Sequence, residues 1–158
     1  MCGFLGKISL DSFSDENLKN ANNRIVCRGP DETKFLDQNI LETDDTFFSF
    51  VFNRLSIIDL TNTASQPMLT KNKENLIMFN GEIYNYKELK EILLRKGIDF
   101  NSKNSDTEVL LKGLSYFGLD FVNEIIGQFA IVFYEIKNKK IHLIRDRVGQ
   151  KPLFFNLS

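Results

Sequence analysis

Apolar residues fall in short blocks separated by polar, turn-forming stretches. Residues 1–9 read as a buried strand, with glycines at 3 and 6 that permit tight packing. Ser14 and Asp15 can cap a helix over 16–26, although its many asparagines weaken helical propensity. Arg28-Gly29-Pro30-Asp31 is turn chemistry, because Gly-Pro ends regular structure. FFSFVF at 47–52 is a strand by its aromatic and β-branched content, followed by a short apolar piece at 55–60 and a polar loop at 61–67. LIMF at 76–79 predicts another buried strand that runs into Asn80-Gly81, a strong turn signal. Leu89, Ile92 and Leu93 form a helical stripe within 86–95, and Gly97 stands where a C-terminal glycine belongs. Ser105-Asp106-Thr107-Glu108 can cap a helix that begins near Glu108 and ends at Gly118, with one or two further helical turns at 121–126. Residues 129–136 and 140–145 predict a hairpin joined by Lys-Asn-Lys, and 153–155 a further strand.

No internal repeat or linker interrupts the chain, so one domain over 1–158 is expected. The order is strands, then helices, then strands. Without a regular βαβ alternation, a mostly antiparallel α+β fold is predicted. The terminal Phe-Phe-Asn-Leu-Ser reads as the middle of a hairpin, so a chain boundary inside the domain is expected.

Composition narrows the function classes. Lys and Arg number 20 against 21 Asp and Glu, a net charge of −1. That balance argues against a protein that neutralises nucleic-acid phosphates and against a polybasic membrane module. No apolar run approaches the ~18 residues of a membrane span. Lys7 and Asp11 interrupt any secretory signal at the start of the chain. Fifteen Phe and no Trp point to a Phe-rich core. Two cysteines, Cys2 and Cys27, make no disulfide framework, and a reducing cytoplasm is the expected location. Together with the lone His142 they fall short of a four-ligand metal site, which disfavours a redox or metal module.

Cys2 carries the most chemical information. Removal of Met1, which a small second residue permits, would place a thiol and a free α-amine on one residue. An α-amine has an ordinary pKa of about 7.7–8.0 and can act as general base for its own side chain. The alternative is a small buried cysteine at the head of a strand. Three further polar groups border regular structure: Asn53-Arg54, Asn80-Gly81-Glu82 and Ser105-Asp106. Arginine can grip a carboxylate with two hydrogen bonds, aspartate can hold an ammonium, and an Asn amide with a following Gly N–H can stabilise an oxyanion. Together they suit an amino-acid substrate with a reactive acyl group. Singly, each reads as a turn or cap.

Seven segments occur in an order that resembles a known family: Met1-Cys2-Gly3-Phe4, Arg28-Gly29-Pro30-Asp31-Glu32, Asn53 to Asp59 (NRLSIID), Gln66-Pro67-Met68, Phe79 to Asn85 (FNGEIYN), Ser105 to Glu108 and Arg145 to Gly149 (RDRVG). The chain is similar to the N-terminal glutaminase domain, a class II glutamine amidotransferase, of glutamine-hydrolysing asparagine synthetases. The resemblance implies a four-layer αββα N-terminal nucleophile hydrolase fold with two packed antiparallel sheets. It implies that Cys2 attacks the side-chain amide of glutamine, forming a thioester that water hydrolyses to glutamate. Asn80 and the Gly81 N–H would stabilise the oxyanion. Arg54 would bind the α-carboxylate and Asp106 the α-ammonium, with Glu82 assisting. Backbone groups of Leu55, Ile57 and Ile58 would line the same pocket. No cofactor is implied for this chain. ATP and Mg²⁺ belong to the implied synthetase domain, normally on the same chain and absent here, where ammonia would convert aspartate to asparagine. A homodimer is left open.

Two positions depart from the family pattern. Cys27 stands where a His usually precedes the RGPD segment, which bears on ordering of the glutamine loop rather than on the nucleophile. Gln128 replaces a residue that is more often Met. No SGGxDS-like pyrophosphate loop occurs. Two rival readings remain: a related amidotransferase that amidates another acceptor, and a non-catalytic regulatory domain of the same fold. Intact Cys2, Arg54, Asn80, Gly81 and Asp106 count against the second.

Overall fold

The structure is a computed structural model that describes residues 2–11, 16–37, 47–56 and 64–157. The chain runs β1 (Gly3–Ser9), α1 (Glu16–Asn22), a 3-10 turn (Val26–Arg28), β2 (Glu32–Asp37), β3 (Phe47–Arg54), β4 (Met68–Leu69) and β5 (Asn75–Ile83). It continues through α2 (Tyr86–Arg95), α3 (Asp106–Phe117), a 3-10 segment (Gly118–Glu124), β6 (Gly127–Glu135) and β7 (Lys140–Arg145).

Two antiparallel sheets form, one in the order β1-β3-β2 and the other β4-β5-β6-β7. Side chains of a strand alternate between its faces. Phe48, Phe50 and Phe52 of β3 therefore share one face, as do Leu76 and Met78 of β5 and Val132 and Tyr134 of β6, and these residues form one buried cluster between the sheets. The alternate residues Ile77, Phe79, Ile131 and Phe133 face the other way and pack with Leu89 and Leu93 of α2 and Val109, Leu110 and Leu114 of α3. Helix α1 lies against β1 and β3 on the far side of the first sheet. The layers are thus α, β, β, α, in agreement with the α+β reading. Among the described residues, no helix is long and apolar enough to cross a membrane.

Helix α2 and the β6–β7 hairpin form where the apolar pattern places them. Helix α3 begins two residues earlier than predicted, at Asp106, because the Ser105 hydroxyl accepts the Glu108 N–H at 3.1 Å. Three expectations need correction. Asn80-Gly81 is not a turn: both residues lie inside β5, opposite Ala130 and Phe129, and the chain turns only after Ile83. Helix α1 stops at Asn22, whose side-chain oxygen accepts the Asn53 amide at 2.6 Å across the sheet surface. Residues 153–155 form no strand. Strands β2 and β4 were not foreseen; β2 is a charged edge strand and β4 only two residues long. The proposed cap at Ser14 and Asp15, and most of the apolar piece at 55–60, lie outside the described residues.

Candidate active site

The inter-sheet layer changes chemistry at one end. Cys2 and Phe4 share a face of the first sheet, Phe52 and Arg54 continue it on β3, and Asn80 and Glu82 follow Met78 on β5. Phenylalanines and aliphatics give way there to a thiol, a guanidinium, an amide and a carboxylate. They open into a cavity of ≈ 210 Å³, which Gly81 and the head of α3 at Asp106 also line.

Cys2 sits against the end of β3. Its Sγ accepts the Leu55 N–H at 3.4 Å and approaches the Leu55 carbonyl at 3.7 Å. The Cys2 carbonyl accepts Arg28 Nε at 3.3 Å, which ties the RGPD segment to Cys2. Gly29 makes that approach possible: a Cβ there would lie 2.2 Å from the Asn53 carbonyl oxygen. Cys27, one residue before Arg28, is exposed. The next turn is fixed by Asp31, whose carboxylate accepts the Ser56 N–H at 2.7 Å.

Arg54 is buried, and its Nη1 meets Glu32 Oε2 at 3.4 Å. The Ser65 hydroxyl bonds both Glu32 oxygens at 2.8 Å. One edge of the guanidinium is thereby held against the sheet.

The orientation of the Gly81 N–H follows from the ladder. Backbone N–H and C=O groups of an antiparallel strand point to alternate sides, residue by residue. Phe129, opposite Gly81, turns both of its groups away from β5: its N–H goes to Asp146 Oδ2 at 3.2 Å and its C=O accepts the Asp146 N–H at 2.9 Å. Gly81 and Phe129 are therefore a non-hydrogen-bonded pair, and the Gly81 N–H points off the opposite edge of β5, on the cavity side. Glycine is required because a Cβ would lie 2.0 Å from the Gln128 carbonyl oxygen. On the same edge, the Ile83 N–H donates to Asp106 Oδ2 at 3.4 Å.

Asp106 is 8% exposed. Burial pushes its pKa up from 3.8 to about 6; backbone N–H groups of Ile83 and Thr107 oppose the shift and the nearby Glu82 charge adds to it. The carboxyl is thus ionised at neutral pH but poorly solvated, which suits it to meet a cation.

The cavity brings together Cys2, Arg54, Leu55, Asn80, Gly81, Glu82 and Asp106, which span more than a hundred residues of sequence. Ile57 and Ile58 lie outside the described residues. Sequence reasoning did not assign Gln66, Thr107, Gln128 and Lys151 to the wall. Lys151 is delivered by the RDRVG segment: Asp146 accepts the Lys151 N–H at 3.0 Å, and Arg145 Nε donates to the Lys151 carbonyl at 2.7 Å. That segment belongs to the family pattern, but no local signal ties it to a cavity.

The sequence profile of the glutamine amidotransferase domain matches residues 1–158. The chain belongs to this family. It is 38% identical over 161 residues to asparagine synthetase [glutamine-hydrolyzing] 2 of Bacillus subtilis (strain 168), covering 98% of this chain and 20% of that protein. It is 33% identical over 175 residues to a putative asparagine synthetase [glutamine-hydrolyzing] 2 of Methanocaldococcus jannaschii, covering 98% of this chain and 32% of that one. The amidotransferase domain thus spans about a fifth to a third of the length of these relatives. The solved glutamine phosphoribosylpyrophosphate amidotransferase of B. subtilis superposes with a TM-score of 0.62 at 16% identity, over 85% of this chain and 35% of that one. That likeness establishes a shared fold.

Proposed function

We propose that this amidotransferase domain hydrolyses glutamine to glutamate and ammonia through a thioester on Cys2. The observation that carries the reading is the convergence of a thiol, a guanidinium, an off-edge N–H and a partly desolvated carboxylate in one cavity.

Arg54 grips the α-carboxylate of glutamine, and Asp106 with Glu82 receives its α-ammonium. Cys2 Sγ attacks the side-chain amide carbon, and the thiol proton passes to the α-amine that loss of Met1 exposes. The Asn80 amide and the Gly81 N–H donate to the oxyanion, whose charge is absent from the bound substrate. The α-ammonium of Cys2 returns its proton to the amide nitrogen, the C–N bond breaks and ammonia leaves. Water then adds to the thioester carbon, the C–S bond breaks, and glutamate and the thiol result.

The ammonia would serve a synthetase portion on the same chain that amidates aspartate, with ATP and Mg²⁺ held outside these residues. The names and greater lengths of the relatives support that acceptor. The reducing cytoplasm is the compartment proposed for this chemistry.

The test pairs intact mass with glutamate release. Active protein is expected to lack Met1, and Cys2→Ala to remain folded while releasing no glutamate. Full activity in protein that retains Met1 would remove the α-amine from the mechanism.

A further inference from the structure

The edge of β5 that faces away from β6 is covered by a neighbouring strand over only part of its length. Strand β4 supplies two residues, Met68 opposite Ile77 and Leu69 opposite Leu76, and then ends. Phe79 is the next residue along that edge whose backbone groups face outward. Both are satisfied by one side chain. Gln66 Oε1 accepts the Phe79 N–H at 2.6 Å, and Gln66 Nε2 donates to the Phe79 carbonyl at 3.2 Å. The amide, itself buried, stands in for the missing strand residue. A carboxamide offers a donor and an acceptor on neighbouring atoms without depending on its protonation state. Gln66 Nε2 also lies 3.3 Å from Thr107 Oγ1, beside Asp106.

We propose that Gln66 is a positioning residue for oxyanion stabilisation, fixing β5 one residue before Asn80 and two before Gly81. Its amide completes the sheet edge at Phe79 and stops there, so the next outward N–H on the edge, that of Gly81, faces the cavity. Backbone pairing continued in the register of β4 would bring position 64 opposite Gly81 and consume the donor. A weaker hold would let the donors drift from the position the oxyanion takes, where placement to a fraction of an ångström matters. The contact to Thr107 couples the same strand to the head of α3. The adjacent Ser65 holds Glu32, the partner of Arg54, so two consecutive residues brace the elements that carry both sides of the site. This inference rests on the reading of Asn80 and Gly81 as oxyanion donors.

The test is Gln66→Met, which keeps the length of the side chain and removes both hydrogen bonds. Steady-state glutamate release should show kcat lowered about 10- to 100-fold with KM changed less than about threefold. Alkylation of Cys2 by iodoacetamide, followed by peptide mapping, should proceed within about twofold of the wild-type rate, because displacement at that carbon forms no oxyanion. A merely structural role would slow both reactions together, and that result would overturn the proposal. Gln66→Glu keeps the acceptor for the Phe79 N–H and loses the donor once its carboxyl is ionised. It should show the same split, and decides the matter if Gln66→Met does not fold. Wild-type kcat in either folded variant overturns the positioning role alone. Absence of glutamate release by the wild-type chain overturns the glutaminase reading beneath it.

Discussion

Replacement of Asp106 by asparagine should separate stability from function. The carboxyl is buried at the head of α3, and its pKa rises from 3.8 unfolded to about 6 folded. The folded state therefore binds more protons than the unfolded state across that interval. Stability that is fully present below about pH 4 is lost as pH rises through about 6, a total of roughly 3 kcal/mol from 1.36 kcal/mol per unit. The asparagine side chain cannot ionise, so the variant escapes this loss. It also forfeits one acceptor, since the two carboxylate oxygens receive the Ile83 and Thr107 N–H groups, but that penalty does not vary with pH. The comparison that matters is a double difference. Between about pH 4.5 and pH 7.5 the stability of Asp106→Asn relative to wild type should improve by about 2 kcal/mol. Urea unfolding followed by circular dichroism, without ligand, measures it. A relative stability that stays constant within about 0.5 kcal/mol across the two pH values would refute the argument that burial strains the ionised carboxyl. Function should move the other way. An ionised Asp106 is the proposed ammonium partner, so wild-type KM for glutamine should rise as pH falls below about 6, and the variant should have a high KM at every pH.

The remaining predictions concern the other groups of the cavity. Arg54→Ala should mainly raise KM, since the α-carboxylate lies away from the reacting amide; kcat/KM should fall roughly 30- to 1000-fold, the equivalent of about 2–4 kcal/mol, read by glutamate release. Asn80→Ala should lower kcat about 10²–10³-fold with a smaller effect on KM, and a near-normal kcat in the folded variant would remove the oxyanion role. A diazo-ketone analogue of glutamine should label Cys2 and spare the exposed Cys27; peptide mapping that finds the label on Cys27 would overturn the choice of nucleophile.

Much of the site was legible as chemistry and little of it as geometry. Each of Cys2, Arg54, Asn80, Gly81 and Asp106 carries a side chain or backbone group whose use can be stated from its type. The period of two in FFSFVFNR and LIMFNGE even places Phe52 with Arg54, and Met78 with Asn80, on one strand face. The stacking of those faces on one another is a tertiary fact. The Asn80-Gly81 turn signal failed because nine residues of β5 pair with β6, and continuous pairing outweighs a two-residue preference. Strand β2 escaped notice because ETKFLD has the charged composition of an edge, and β4 because two residues carry no period. Gln66 fell in a stretch read as a polar loop. Its partners are 13 and 41 residues away, a separation no local pattern encodes.

The same strand edge explains why the site can be both rigid and unsatisfied. Along β5 the outward backbone groups are met in turn by the Thr70 N–H at Asn75, by β4 at Ile77, by the Gln66 amide at Phe79 and by the Asp106 carboxylate at Ile83. Among the described residues, every outward position but Gly81 is held by a neighbour, so the strand has little freedom to shift. At Gly81 the fold removes the side chain, brings the Gln128 carbonyl too close for any replacement, and directs the N–H toward the cavity. In the wall of the same cavity, Asp106 keeps a charge that burial disfavours. The carboxylate does not serve stability, since a buried carboxylate wants a cation, and the half-buried Gly81 N–H is left facing the cavity without an acceptor among the described residues. In the proposed reaction glutamine would bring both, an oxygen that gains charge as the thiol adds and an ammonium at the other end. The polar end of the inter-sheet layer is then best understood as half of a set of interactions that the amino acid completes.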